Sequence, residues 1–400
     1  MPKSPVVGTR PWSSVHLNAI RGVAALLVLL GHTRSLFFSS FTAMTGPTTT
    51  QTANHVARGN RTTVGEEAVI IFFVLSGYLV GGSVIRSIKN GTWSWKSYLL
   101  KRITRLWVVL IPALLFGISL DILGMHLFGS TTSIYAAPST TLVPHDLAAR
   151  LSWKVILANA TFLQGILAPT AGTNNSLWSL AYEWWYYLQF PLLILVFSKT
   201  TKPSLRLLYL TAFLGSTVFV GREIMALFPS WLLGAAVAAL PSTKLSKAFA
   251  IPLLTFSMSC LVLVKLFDMS KYLAAWSAAI AFSVILFCAV RQRGSCTNAV
   301  YRRVTGFFSD ISYTLYLIHL PLAIFICALV DRPWHYYSPS IMTISTFLLM
   351  NAAVVVAAFL FYKLFEGNTD RVRRALANKS EDAGVLELSV ERPEASARFG

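Results

Sequence analysis

An all-α bundle of about ten transmembrane helices, a polytopic integral membrane protein, is the fold class this sequence predicts, and three features predict it. Apolar side chains fill 55% of the 400 positions and charged ones 12%, about half the charged share of an ordinary soluble chain. Mean hydropathy is +0.60. The apolar residues also gather into runs of about 20, the length a helix needs to cross a ~30 Å hydrocarbon core. So few charges exclude a soluble enzyme of this length, which needs charged surface for its domains.

The runs lie near 17–38, 64–84, 104–126, 177–197, 206–221, 224–240, 249–267, 272–290, 308–330 and 341–364. The first is too long for the apolar core of a signal peptide and lacks a small-residue cleavage site, so it reads as a span. The second carries Glu66 and Glu67 in its first turn, and the third is approached through basic residues. Pro112, Pro191 and Pro321 fall inside spans, where membrane helices tolerate them as kinks. Residues 151–168 are apolar but short and carry Lys154, Asn159 and Gln164, so they read as interfacial or re-entrant. Arg222, Glu223 and Pro229 leave 206–221 and 224–240 the shortest pair. The sequence beyond Gly367 is charged and aromatic-poor until Phe399, a composition that favours partial disorder. The expected division is a transmembrane domain over 1–365 and a charged tail over 366–400.

Charge gives the orientation. Residues 1–365 hold 28 Lys/Arg against nine acids, and the other seven acids lie in 366–400. With both termini in the cytoplasm, 25 of the 34 basic residues fall on the inner side, as the positive-inside rule requires. The expected location is therefore the cytoplasmic (plasma) membrane, and membrane lipids rather than nucleic acid account for the basic balance. Cys260, Cys288, Cys296 and Cys327 have no zinc-ligand spacing and read as small hydrophobes. No metal is expected.

Polar groups inside a span cost about 2.5–3.5 kcal/mol each near the bilayer centre, so each calls for a reason. The first helix carries Arg21 and His32. Their spacing of eleven residues is about three turns plus 20°, which puts both on one face, about 16.5 Å apart along the axis. Arg21 either snorkels to the inner interface or lines an internal groove; His32 is either a packing histidine or a general base. Ser76-Gly77-Tyr78 lies mid-helix. Small-residue packing or a ligand path explains Ser76 and Gly77 equally, and Tyr78 is a chamber wall or a core aromatic. Arg102 and Arg105 are three apart on one helix face beside Lys101. Two guanidiniums fork onto phosphate oxygens, although orientation and anionic lipid explain a basic cluster too. Glu183 lies among Trp178, Trp184, Trp185, Tyr186 and Tyr187. There it pairs with an arginine, orients His32 or holds a sugar hydroxyl. His319, Tyr313 and Tyr316 read as structural. The outer segments 39–63 and 127–150, rich in Thr, Ser, Pro and His, are candidate covers for an acceptor site.

Five stretches in order give a family resemblance. LNAIRGVAALLVLLGH (Leu17–His32), with its arginine and histidine, resembles the opening of the membrane acyltransferases of acyltransferase family 3. FFVLSGYLV (Phe72–Val80), YLLKRITRLWVVLIPALL (Tyr98–Leu115), LWSLAYEWWYYLQFPLL (Leu177–Leu193) and ISYTLYLIHLPL (Ile311–Leu322) are similar to its later motifs. FYKLFEG (Phe361–Gly367) resembles its ending. Asn18 and Ile70 stand where acidic residues are common in the family. The resemblance implies transfer of an acyl group, most often acetyl, from cytoplasmic acyl-CoA to a hydroxyl of an extracytoplasmic or lipid-linked carbohydrate.

In that reading His32 is the general base, Arg21 holds the donor or neutralises the carbonyl oxygen, and Glu183 completes the catalytic group. Arg102 and Arg105 hold the phosphates of acyl-CoA (acetyl-CoA) as co-substrate, with Lys101 assisting. Ser76, Tyr78 and Trp178 line the substrate path. Polysaccharide O-acetylation in the cell envelope is the setting it implies. A transporter or flippase for a glycolipid or organic anion, with Arg21, His32 and Glu183 as its pathway, is the alternative from another class.

Overall fold

The computed structural model describes residues 10–38, 64–129, 133–136, 142–241, 245–266, 270–292, 294–330 and 333–377. The expected acceptor cover at 39–63, part of that at 127–150, and the tail from 378 lie outside the described residues. Helices run α1 (Trp12–Phe37), α2 (Val64–Ser76), α3 (Gly82–Lys89), α4 (Trp95–Phe128), α5 (Leu147–Arg150) and α6 (Trp153–Ala160). They continue as α7 (Trp178–Phe197), α8 (Pro203–Ala239), α9 (Lys247–Leu266), α10 (Lys271–Val290), α11 (Ala299–Val330) and α12 (Ile341–Leu364). A two-residue ladder, β1 (Arg10–Pro11) against β2 (Ser295–Cys296), ties the start of α1 to the approach to α11.

Each expected span falls on a helix among the described residues, and seven of the helices there are long and apolar enough to cross a membrane. The runs 206–221 and 224–240 both fall within α8, broken at Gly221 by a φ of 78°, a backbone state that only glycine adopts freely. α4 is longer than expected: it begins at Trp95, capped by Ser94, so Lys101, Arg102 and Arg105 stand on the helix itself. Residues 151–168 make only the eight-residue α6, about 12 Å long, before the chain turns back, too short to cross. Asn159, fully buried, holds that return by donating to the Pro169 carbonyl at 2.9 Å and accepting from the Ala171 N–H at 3.1 Å. α12 starts at a reciprocal cap in which Ser340 and Thr343 satisfy each other's backbone N–H groups.

α11 is the central post. It packs against α1, α4 and α12, while α2 packs against α1, α8 and α10. The approach of α2 to α8 is backbone to backbone. A methyl group at Gly77 would strike the Trp231 carbonyl, and one at Gly234 would strike the Val74 carbonyl. Gly77 opens a π turn, Gly77–Gly81, between α2 and α3. Small-residue packing therefore accounts for Gly77, and Ser76 is left on the cavity side of that crossing.

Because the helices are in backbone contact, Gly234→Ala should destabilise the protein by about 1–3 kcal/mol, the usual cost of overpacking. Thermal unfolding in detergent measures this; an unchanged midpoint would mean that α2 and α8 do not touch.

Candidate active site

Two prolines open the helices where the site forms. Pro191 has no N–H to give the Tyr187 carbonyl, and Pro321 has none for the Leu317 carbonyl. Inside a bilayer such carbonyls need another donor. Tyr98 Oη–H of α4 donates to the first at 2.9 Å, and Asn174 Nδ2 to the second at 2.7 Å. These bonds lock α4 to α7 and the loop before α7 to α11.

Between α1, α2, α4, α7 and α11 lies a cavity of about 180 Å³. Arg21, Arg102, Arg105 and Glu183 face it, together with Ser76, Ser179, Tyr187 and Tyr316. Four groups from three distant motifs are thus gathered on one space. Tyr187 donates to Glu183 Oε1, and Ser76 Oγ donates to the Tyr187 hydroxyl at 3.2 Å. Trp231 Nε1 donates in turn to Ser76 Oγ at 3.1 Å.

The two arginines of α4 differ. Arg105 pairs with Glu366 at 2.6 Å, and the other oxygen of Glu366 accepts from Thr314 N and Oγ1 at 3.2 and 2.6 Å. Arg102 has no carboxylate partner among the described residues. Its guanidinium stands 5.7 Å from the ring centres of both Tyr98 and Tyr187, and its Nε is buried without a hydrogen-bond partner. A buried donor without an acceptor suits an anionic ligand.

A second, polar cavity of about 420 Å³ shares Arg21 and Arg105 with the first and adds Lys101, Asp310, Asp370 and Arg373. Arg373 is paired with Asp370 at 3.0 Å. Arg21 reaches Ser309 Oγ at 3.5 Å, and Ser309 donates to Asn18 at 3.2 Å, so Asn18 takes the hydrogen bond that an acid there would accept. A polar vestibule and a largely apolar chamber thus meet at two arginines.

His32 is not among the residues lining either cavity. It is half-buried, with its Nδ1 2.8 Å from Nε2 of His319. His319 is buried on α11; its Nδ1 lies 2.8 Å from the Tyr316 carbonyl and 3.1 Å from the Leu315 carbonyl. Its Nε2 is also 3.4 Å from Ser176 Oγ. Tyr316 Oη bonds the Ser176 carbonyl at 2.8 Å and Ser179 Oγ at 2.6 Å, so the cavity wall leads in two steps to the histidines. Behind them the loop 170–176 is pinned. Asp121, buried in α4, accepts from Thr173 N and Oγ1, both at 2.8 Å. Gly172, at φ 56°, makes room for that carboxylate. Next to His32, Thr33 donates to Asn351 of α12 at 2.9 Å.

Of the residues singled out in the sequence, Arg21, Ser76, Arg102, Arg105 and Glu183 share the chamber, and Lys101 lies in the vestibule. Arg21 faces both cavities with Arg105, about three helical turns along α1 from His32. Glu183 bonds Tyr187 and makes no contact with His32 among the described residues. Trp178 packs edge-on against Phe73 and Tyr182, and Tyr78 does not line the chamber. His319 and Glu366 were not singled out as functional. Their signals were a histidine in an apolar run two residues before a proline and an acid just past the last span, each within a stretch that carries the family resemblance. Among the described residues no three His, Cys, Asp or Glu gather as a metal site.

Residues 15–363 match the family model of the acyltransferase domain of the acyltransferase 3 type. An O-acetyl transferase of Shigella phage Sf6 is 26% identical over 270 residues, 64% of this chain and 73% of that protein. An uncharacterized protein of Haemophilus influenzae is 31% identical over 131 residues, 32% of this chain and about half (49%) of that protein. No solved structure matches the chain.

The proline-freed carbonyl makes Asn174 testable. Asn174→Ala should cost about 1–3 kcal/mol, the penalty of a buried unpaired acceptor. Pro321→Ala in the same chain restores an N–H and should recover part of the loss. Additive losses in thermal unfolding would contradict the pairing.

Proposed function

The chain belongs to the acyltransferase 3 family, and from that premise we propose an integral membrane O-acyltransferase that moves an acetyl group from acyl-CoA to a carbohydrate hydroxyl. The observation that carries the reading is the convergence of Arg21, Arg102 and Arg105 on one chamber, whose Tyr316 wall is joined through Ser176 and His319 to His32. Three cations around an enclosed, mostly apolar space suit a donor with phosphates at one end and an acyl thioester at the other. With both termini cytoplasmic, the vestibule opens on the side where acyl-CoA is made. The acceptor is an extracytoplasmic or lipid-linked glycan of the cell envelope; the phage relative's name supports O-acetyl transfer.

The donor's phosphates lie against Arg102, Arg105 and Lys101, with Arg21 at the neck between vestibule and chamber. Arg102 is the open anion site, whereas Arg105 is shared with Glu366. Glu183, through Tyr187, offsets part of the cationic charge and belongs to the donor chamber rather than to the base. The pantetheine arm passes Ser76 and Ser179 toward the Tyr316 wall and carries the thioester to His32. His32 removes the proton from the acceptor hydroxyl as its oxygen attacks the thioester carbonyl carbon. The tetrahedral intermediate collapses, the carbon–sulfur bond breaks, and the proton passes from His32 to the departing thiolate. The ester and free CoA leave. An apolar chamber limits hydrolysis of the thioester by water.

Two measurements test this reading on purified protein with labelled acetyl-CoA and a candidate glycan. His32→Ala should lower the transfer rate by about 10²–10⁴-fold, the range for general acid–base catalysis, while CoA binding persists. Unchanged transfer would remove His32 from the chemistry, and gradient-driven substrate movement without thioester cleavage would favour transport instead. Arg102→Ala should weaken CoA binding by about tenfold or more, the loss of a charge-assisted hydrogen bond. Arg102 is the cleaner probe, since Arg105→Ala also strands buried Glu366. Normal CoA affinity in Arg102→Ala would refute the donor assignment.

A further inference from the structure

We propose that His319 is a positioning residue: it accepts the Nδ1–H of His32 and so leaves Nε2 of His32 as the basic nitrogen. The inference rests on the reading of His32 as general base and names the group that sets that base's tautomer.

Hydrogen bonding fixes the protons in sequence. Nδ1 of His319 faces two backbone carbonyls, of Tyr316 at 2.8 Å and Leu315 at 3.1 Å. A carbonyl oxygen only accepts, so Nδ1 carries the proton. His319 is 1% exposed and has no carboxylate partner among the described residues, so its ring is neutral. A neutral ring protonated on Nδ1 offers a lone pair at Nε2. That lone pair meets Nδ1 of His32 at 2.8 Å, which must then be the donor. The ring centres are 5.1 Å apart with planes 7° from parallel. With the two nitrogens so much closer than the ring centres, the imidazoles lie edge to edge, the N–H aimed along the lone pair.

The consequence falls on the other nitrogen. With Nδ1 of His32 protonated, its Nε2 holds the free lone pair, and that atom has no hydrogen-bond partner among the described residues. His32 is half-buried where His319 is buried, so His32 is the ring of the two that a substrate can reach. Ser176 Oγ, 3.4 Å from Nε2 of His319, is a longer and weaker competitor for the same lone pair. Pro321 and Asn174 hold this arrangement from behind, because the Asn174 bond to the Leu317 carbonyl fixes the loop against α11 two residues before His319.

The test uses His319→Phe, which fills the space and cannot accept, and His319→Gln, whose side-chain oxygen accepts where Nε2 does. The expected result is a kcat about 10²–10⁴-fold lower in His319→Phe, the range for losing general acid–base catalysis, with CoA affinity unchanged and most of kcat restored in His319→Gln. Full activity in His319→Phe, or equal losses in two folded variants, overturns the inference. His32→Ala run in parallel keeps the questions apart. If it is inactive while His319→Phe is fully active, only the positioning role falls; if it too is active, the general-base reading falls first. Should His319→Phe fail to fold, ¹⁵N-histidine NMR of the unaltered protein decides. The signal lost in His32→Gln should be the Nδ1–H tautomer, and the Nε2–H tautomer there overturns the inference.

Discussion

Every backbone carbonyl within hydrocarbon must find a donor, and in this bundle that requirement builds the site. Pro191 and Pro321 each release a carbonyl from its own helix, and each is taken by a side chain from elsewhere in the chain. An ordinary helix has no such vacancy and therefore no strong reason to bind a neighbour at one depth. The Tyr98 bond fixes α4, with its arginines, against the helix that carries Glu183. The Asn174 bond fixes the loop that carries Ser176 against the helix that carries His319. Kinked helices thus become registered ones, and the register sets which polar groups meet.

The charges obey the same economy of partners. A guanidinium within the bundle survives by pairing, by stacking on aromatic rings, or by facing water or ligand. Arg105 does the first with Glu366 and also stands 5.4 Å from the Tyr313 ring. Arg102 does the second and keeps an unbonded Nε. Arg21 faces both cavities. In the proposed mechanism a ligand with phosphates completes what Arg102 lacks, whereas Arg105 shares its charge between ligand and Glu366.

The helices were legible because apolar run length is a direct consequence of bilayer thickness. Arg21 and Glu183 were legible as costly charges in apolar surroundings and Arg102 and Arg105 as a basic pair on one helix face, and the chamber brings them together. Which group holds His32 was not. That depends on a contact between residues 287 apart in the chain, and a single sequence carries no signal of such pairing. Glu366 was assigned to the tail on composition, yet it is buried against α4 and α11, because local charge density does not report tertiary partners. The early start of α4 escaped as well: hydropathy marks where a helix enters lipid, and α4 begins nine residues before that point, where Lys96, Lys101 and Arg102 interrupt the apolar run. Tyr78 and Trp178 show the converse, since an aromatic in a motif packs as readily as it lines a path.

In the proposed mechanism a donor held by the α4 arginines reaches the ring of His32. A cryo-electron-microscopy structure with a non-hydrolysable acetyl-CoA analogue tests it most directly. Density is expected for the phosphates at Arg102 and Lys101, with the acyl carbonyl past the Tyr316–Ser179 contact and beside Nε2 of His32. An acyl group that stops on the arginine side of Tyr316, with His32 still walled off in the bound state, would contradict it.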